Sequence, residues 1–102
     1  LRENGCAFVA YNPLAAGLLT GSHTPDTEVA PGRFKDNPNY MPRFYTPVNF
    51  DALGTIRAAC EAAGISLVEA TYRWLLCHSA LKGDGPAPDG LLLGASSVPQ
   101  LQ

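Results

Sequence analysis

Six consecutive residues without a charge, Cys6-Ala7-Phe8-Val9-Ala10-Tyr11, open the hydrophobic pattern of the chain. An unbroken apolar run of this length, rather than an alternating one, predicts a parallel strand covered on both faces. Asn12-Pro13 ends it, because proline brings no N–H to a ladder and restricts the residue before it. A second run, Leu91-Leu92-Leu93, predicts a second buried strand. Between the two the period changes. From Asn49 onward Leu53, Ile56, Cys60 and Ala63 recur at helical spacing, and Gly64 supplies the stop. Ser66-Leu67-Val68-Glu69 restarts the helical pattern as a capping box. Leu67, Thr71, Trp74 and Leu75, bordered by Val68 and Tyr72, then form one apolar face, expected to pack on the outside of the sheet.

The remaining segments read as ends and connections. Leu1 to Gly5 resembles the last turn of a helix with a glycine C-cap. Ser22 to Pro47 holds five prolines and is expected to be an extended surface excursion, of a length more often functional than filler. Lys82 to Gly90, rich in Gly and Pro, reads as a flexible connection, and Ser97-Val98-Pro99-Gln100 as a helix start. The order strand, loop, helices, strand, helix start is that of a right-handed parallel crossover, so the fold class is α/β. Its two loops would lie side by side at the carboxyl ends of adjacent strands, where such folds bind ligands.

Candidate chemistry concentrates in those loops. Asn12-Pro13-Leu14-Ala15-Ala16-Gly17-Leu18-Leu19-Thr20-Gly21 replaces side-chain bulk with backbone, and bare amides in such a turn attract anions such as phosphate. The competing reading is a small-residue loop packed tightly under a helix. Neither a G-x-G-x-x-G fingerprint nor a Walker lysine is present to decide between them. Gly94-Ala95-Ser96-Ser97 leads into a helix N-terminus, where free N–H groups favour an anion. There Ser97 and Gln100 also fit a capping box that merely satisfies helix-end amides.

The loop from Asn12 to Gly21 resembles the loop after the seventh barrel strand of aldo-keto reductases, especially the aflatoxin-aldehyde (succinic semialdehyde) reductase subgroup. Pro31-Gly32-Arg33-Phe34, Tyr40-Met41-Pro42-Arg43-Phe44, Ala70-Thr71-Tyr72-Arg73-Trp74 and Leu92-Leu93-Gly94-Ala95-Ser96-Ser97 with Gln100 recur in the same order, so the resemblance spans nearly the whole chain. It implies part of a TIM (β/α)8 barrel, covering strands 7 and 8 with the intervening helices. It further implies an NADPH-dependent enzyme that reduces small aldehydes or ketones. Asn12, Pro13, Leu14, Ala15, Ala16, Gly17, Leu18, Leu19, Thr20 and Gly21 would line the pyrophosphate, and Arg33 would clamp the cofactor through its two-pronged guanidinium. Ser96, Ser97 and Gln100 would contact the adenosine phosphate and base, while Tyr40 and Arg43 would hold a substrate carboxylate. Read without the resemblance, Arg33, Tyr40 and Arg43 are exposed polar residues. Two departures stand out. Ser22 occupies the place of a subgroup lysine, which leaves the choice between NADPH and NADH open. Ala16 replaces a glycine, which implies a backbone with negative φ at that position. The family's catalytic Tyr, Lys, Asp and His have no counterparts here, and no catalytic residue is assigned; His78 is expected to close a helix and His23 to be solvated.

Composition adds boundaries. Residues 1–102 are 46% hydrophobic and 16% charged, ordinary for a globular piece, yet a (β/α)8 barrel needs roughly 250 residues. The chain is therefore read as an incomplete oxidoreductase domain, an interior or C-terminal portion of a longer enzyme, marginal alone because its strand edges lack partners. A net charge of −2 with scattered Lys and Arg argues against nucleic acid. No apolar stretch approaches the roughly 18 residues of a membrane span, and a cytoplasmic location is expected by default. Cys6, Cys60 and Cys77 lack metal-like spacing and are expected to be buried thiols. A homodimer is possible for the full-length enzyme. The alternative to an enzyme is a non-catalytic nucleotide-binding or protein-interaction module derived from a reductase, and beyond that a degenerate remnant.

Overall fold

The computed structural model describes residues 1–21 and 46–102. It is mixed α/β. Strand β1 (Val9–Ala10) pairs in parallel with β2 (Gly90–Leu91), Val9 opposite Gly90 and Ala10 opposite Leu91. The Gly90 N–H donates to the Phe8 carbonyl at 3.0 Å and the Leu92 N–H to the Ala10 carbonyl at 2.8 Å. The expected parallel crossover is thus present, through helices α1 (Pro47–Ala63) and α2 (Leu67–Cys77). A one-turn helix, α3 (Val98–Leu101), follows β2.

Local chemistry sets the helix ends. Thr46 caps α1, its hydroxyl accepting from the Asn49 N–H at 3.2 Å, and Pro47 occupies the first helical position, where its missing N–H costs nothing. The helix therefore begins two residues before the Asn49 start expected from periodicity. Gly64 ends it in the left-handed region (φ 70°), and the Ile65 N–H reaches back to the Cys60 carbonyl in a Schellman-type closure. Ser66 caps α2 through the Glu69 N–H at 3.1 Å, but the Glu69 carboxylate turns to Arg73 instead of completing the capping box. At the other end of the chain Arg2–Asn4 forms a single 3-10 turn closed by left-handed Gly5 (φ 68°).

The core is small and lies away from the sheet. Leu53 and Cys60 of α1 and Leu67 of α2 are buried together, with Leu19, Phe50, Ile65 and Ala70 packed against them. The stripe on α1 is thus half realised: Leu53 and Cys60 point in, whereas Ile56 is 44% exposed. Helix α2 packs on α1 and on the turn after β1, not on the outer face of the sheet as expected. That rotation leaves Trp74 57% exposed while Leu67 is buried. The strands are not covered on both faces either. Phe8, Val9, Leu92 and Leu93 are all about half exposed, because among the described residues no element lies over the two-stranded sheet. Of the three cysteines only Cys60 is buried; Cys6, in the link before β1, and Cys77, the last residue of α2, lie outside the α1–α2 seam and are exposed.

Candidate functional site

The parallel register decides where the two loops go. Both leave the carboxyl ends of strands one ladder spacing apart, about 4.8 Å, so residues after Ala10 and after Leu91 start on the same edge of the molecule. The first loop is built from its own side chains. Asn12 adopts positive φ (59°), a conformation its short amide tolerates, and its Oδ1 accepts from the Ala16 N–H at 2.7 Å. Ala15–Thr20 then form a kinked 3-10 stretch in which Ala15 (φ 50°), Ala16 (φ 59°) and Gly17 (φ 100°) all have positive φ. Ala16 thus departs from the expected negative φ. Its amide is fixed by Asn12 and the residue is only 5% exposed, so the surroundings enforce a left-handed backbone that costs an alanine about 1 kcal/mol. The Thr20 hydroxyl donates to the Gly17 carbonyl at 2.7 Å, and left-handed Gly21 closes the turn.

That construction uses up the amides. The Ala15 N–H donates to the Asn12 carbonyl, Gly17 and Leu19 both donate to Leu14, and Gly21 donates to Leu18, each at 3.0–3.2 Å. With Ala16 bound to Asn12, five N–H groups expected to face an anion are turned onto the loop itself. What the loop offers a ligand is shape, and that shape is bolted down. Leu18 is buried, Leu19 enters the core, and the Arg57 guanidinium of α1 donates to the Gly21 carbonyl at 2.9 Å.

The second turn is the reverse. Every residue from Leu92 to Gln102 is exposed. Gln100 Oε1 accepts from the Ser96 N–H at 2.8 Å and the Ser96 hydroxyl at 3.2 Å, one residue earlier than a capping box requires. Ser97 occupies the N-cap position of α3 with extended backbone, and its side chain makes no cap bond. The expected box is therefore replaced by a Ser96–Gln100 bridge, and a helix of four residues has too few aligned peptides for a substantial dipole. Among the described residues the Ser97 hydroxyl and the Gln100 side-chain N–H groups have no partner, so both are exposed donors suited to phosphate oxygens or a base edge. The residues fit a nucleotide here through side chains. Arg33, Tyr40, Arg43, Ser22 and His23 lie outside the described residues. His78 ends α2 through its backbone N–H, which donates to the Trp74 carbonyl at 2.9 Å.

Two residues with evident work escaped the sequence pattern. Arg57 is one, a lone basic residue on a helix whose partner is distant in sequence. Asp89 is the other. Its covered carboxylate accepts from the Phe8 N–H at 2.8 Å and the Lys82 N–H at 2.9 Å, and pairs with Arg2 at 2.9 Å. The Asp89 N–H also donates to the Lys82 carbonyl at 2.7 Å, so residues 82–89 form a loop tied at its neck rather than a free connection. The Lys82 and Phe8 amides, then Arg2, hold the Asp89 carboxyl below its ordinary value. This clasp lies at the amino ends of the strands, opposite the two turns, and serves to hold β1 and β2 in register.

The sequence profile of the aldo/keto reductase family matches residues 1–102. Aflatoxin B1 aldehyde reductase member 2 of Homo sapiens is 38% identical over the whole chain, which covers 31% of that protein. An aldo-keto reductase of Pseudocercospora fijiensis is 35% identical, again over the whole chain and 36% of the relative. L-glyceraldehyde 3-phosphate reductase of Escherichia coli O157:H7 is 27% identical, with 28% of its length covered. No solved structure matches. The chain spans about a third of the length of the curated relatives it matches. Its profile match from end to end, with relatives above one-third identity along its full length, makes this chain a member of the aldo/keto reductase family.

Proposed function

We propose that this chain is the cofactor-binding side of an NADPH-dependent aldo-keto reductase acting on small aldehydes or ketones, the region of strands 7 and 8 of a (β/α)8 barrel. The observation that carries the reading is the parallel pairing of Val9 with Gly90 and Ala10 with Leu91, which sends residues 12–21 and 94–100 off one edge. Ligands of parallel α/β folds bind at that edge. The names of the relatives as aldehyde reductases support a carbonyl substrate.

The residues divide the work. Asn12 to Gly21 form a rigid wall against the pyrophosphate, Ser97 and Gln100 donate to the adenosine half, and Ser96 holds the Gln100 side chain in place. Arg33 closes on the cofactor with two parallel hydrogen bonds. Tyr40 and Arg43 hold a carboxylate on the substrate, which favours short acidic aldehydes. When bound, the reduced nicotinamide supplies hydride to the carbonyl carbon. This chain's own part is binding and orientation, and proton transfer belongs to residues it does not contain.

Fluorescence titration of the full-length protein with NADPH, run beside turnover of succinic semialdehyde, tests the reading. Saturable binding with turnover is the expected result. Binding without turnover would favour a non-catalytic nucleotide-binding module, and absence of binding would overturn the proposal.

A further inference from the structure

We propose that Arg57 is a positioning residue for the dinucleotide, acting through the loop it holds rather than by touching the ligand. The proposal rests on the cofactor reading of residues 12–21 given above. The entry of that loop is fixed internally, by Asn12 Oδ1 on the Ala16 N–H. Its exit has no such internal clamp on the carbonyl side: the Gly21 carbonyl is taken by Arg57, 36 positions away, at 2.9 Å. The side chains of Arg57 and Leu67 meet this backbone in ordinary contact. Gly21 has φ 81°, and a Cβ built there would lie 3.6 Å from the Arg57 guanidinium and 3.7 Å from Leu67. A Cβ would meet both at ordinary contact distance, so it is the positive φ, not lack of room, that favours glycine here.

Helix α1 makes the contact consequential. It begins at Pro47, so the chain leaves the loop at a carbonyl pinned to α1 and returns at the first turn of the same helix. Ten residues separate Pro47 from Arg57, roughly 15 Å along a helix axis, and this fixes the span between the loop exit and the helix start. A guanidinium suits the task because it is permanently charged and keeps its geometry when half buried. Among the described residues Arg57 forms no ion pair, and its guanidinium is directed to the Gly21 carbonyl.

The test uses Arg57→Leu and Arg57→Lys in the full-length protein. Arg57→Leu is expected to raise the NADPH dissociation constant about tenfold, as loss of one charge-assisted hydrogen bond would, with kcat at saturating cofactor within about twofold. Arg57→Lys, which keeps one donor, should fall between wild type and Arg57→Leu. Amide exchange at residues 18–21 should accelerate in Arg57→Leu. Unchanged NADPH affinity in a folded Arg57→Leu, or a fall in melting temperature with affinity unmoved, would overturn the proposal. If Arg57→Leu does not fold, Arg57→Lys decides: a raised dissociation constant with kcat kept sustains the proposal, and wild-type affinity overturns it. Failure of the wild type to bind NADPH would sink the cofactor reading instead. The pin itself would then stand on faster exchange at residues 18–21 and fall if exchange were unchanged.

Discussion

The turns after the two strands share an edge of the molecule but are built on opposite plans. The turn after β1 spends its amides on itself, buries Ala16 and Leu18, and sends Leu19 into the seam between α1 and α2. The turn after β2 is exposed throughout and held by the Ser96–Gln100 bridge and a 3.3 Å bond from the Gln100 N–H to the Ser97 carbonyl. The difference teaches where rigidity and recognition reside. A surface made of satisfied backbone cannot donate to a ligand, but it keeps its shape without one; an exposed serine and glutamine can donate, but stabilise little by themselves. A dinucleotide lying across both would take its orientation from the first and its hydrogen bonds from the second.

The contrast breaks most visibly at Leu67, whose side chain joins α1, α2 and the first turn. Leu67→Ala should cost about 2–4 kcal/mol in denaturant unfolding of the full-length protein, as buried leucine truncations do. A loss below about 1 kcal/mol would mean that the first turn is not anchored to this seam.

The Asp89 clasp gives a smaller effect with a defined sign. Its carboxyl lies below the ordinary value of 3.8 in the folded protein because the Lys82 and Phe8 amides and Arg2 favour the charged form. The unfolded state therefore binds the proton more readily, so the contribution is complete above about pH 5 and is lost progressively as pH falls below that. Asp89→Asn should flatten the acid limb of a plot of melting temperature against pH. An identical limb in the variant would show that the clasp does not hold the strands.

How much of this was legible in the sequence follows from how local each cause is. Gly64 and Ser66 could be read because caps depend on a few adjacent residues, and Thr46-Pro47 carried the same kind of signal two residues before the expected start. The parallel order of strands followed from two charge-free runs separated by helical periodicity. Burial was not legible, because Phe8, Val9, Leu92 and Leu93 state only that they would prefer cover, not that cover is at hand. Trp74 points outward because the loop, rather than the sheet, receives α2. Asp89 gave no local sign: its partners Phe8 and Arg2 are 81 and 87 positions away. At Ala16 the alanine itself argued for negative φ, and the bond from its N–H to Asn12 together with its burial overrule that preference.

Ala16→Gly probes the strain of the first turn and should have the smallest effect. Relief of the left-handed backbone, about 1 kcal/mol, is offset by loss of a buried methyl at about 0.8 kcal/mol and by added freedom in the unfolded chain. The net change in stability should stay within about 0.5 kcal/mol. A gain above 1 kcal/mol would show that the surroundings do not use the methyl.

Asn12→Ala and Ser97→Ala, each measured for both thermal stability and NADPH affinity, test the division of labour most directly. Asn12→Ala removes the acceptor for Ala16 and places alanine at positive φ, so the protein should lose about 2 kcal/mol. Ser97→Ala, whose side chain bonds to nothing described, should leave stability within about 0.5 kcal/mol yet weaken NADPH binding several-fold. Stability lost at Ser97 with affinity retained, or affinity untouched by either change, would contradict the account.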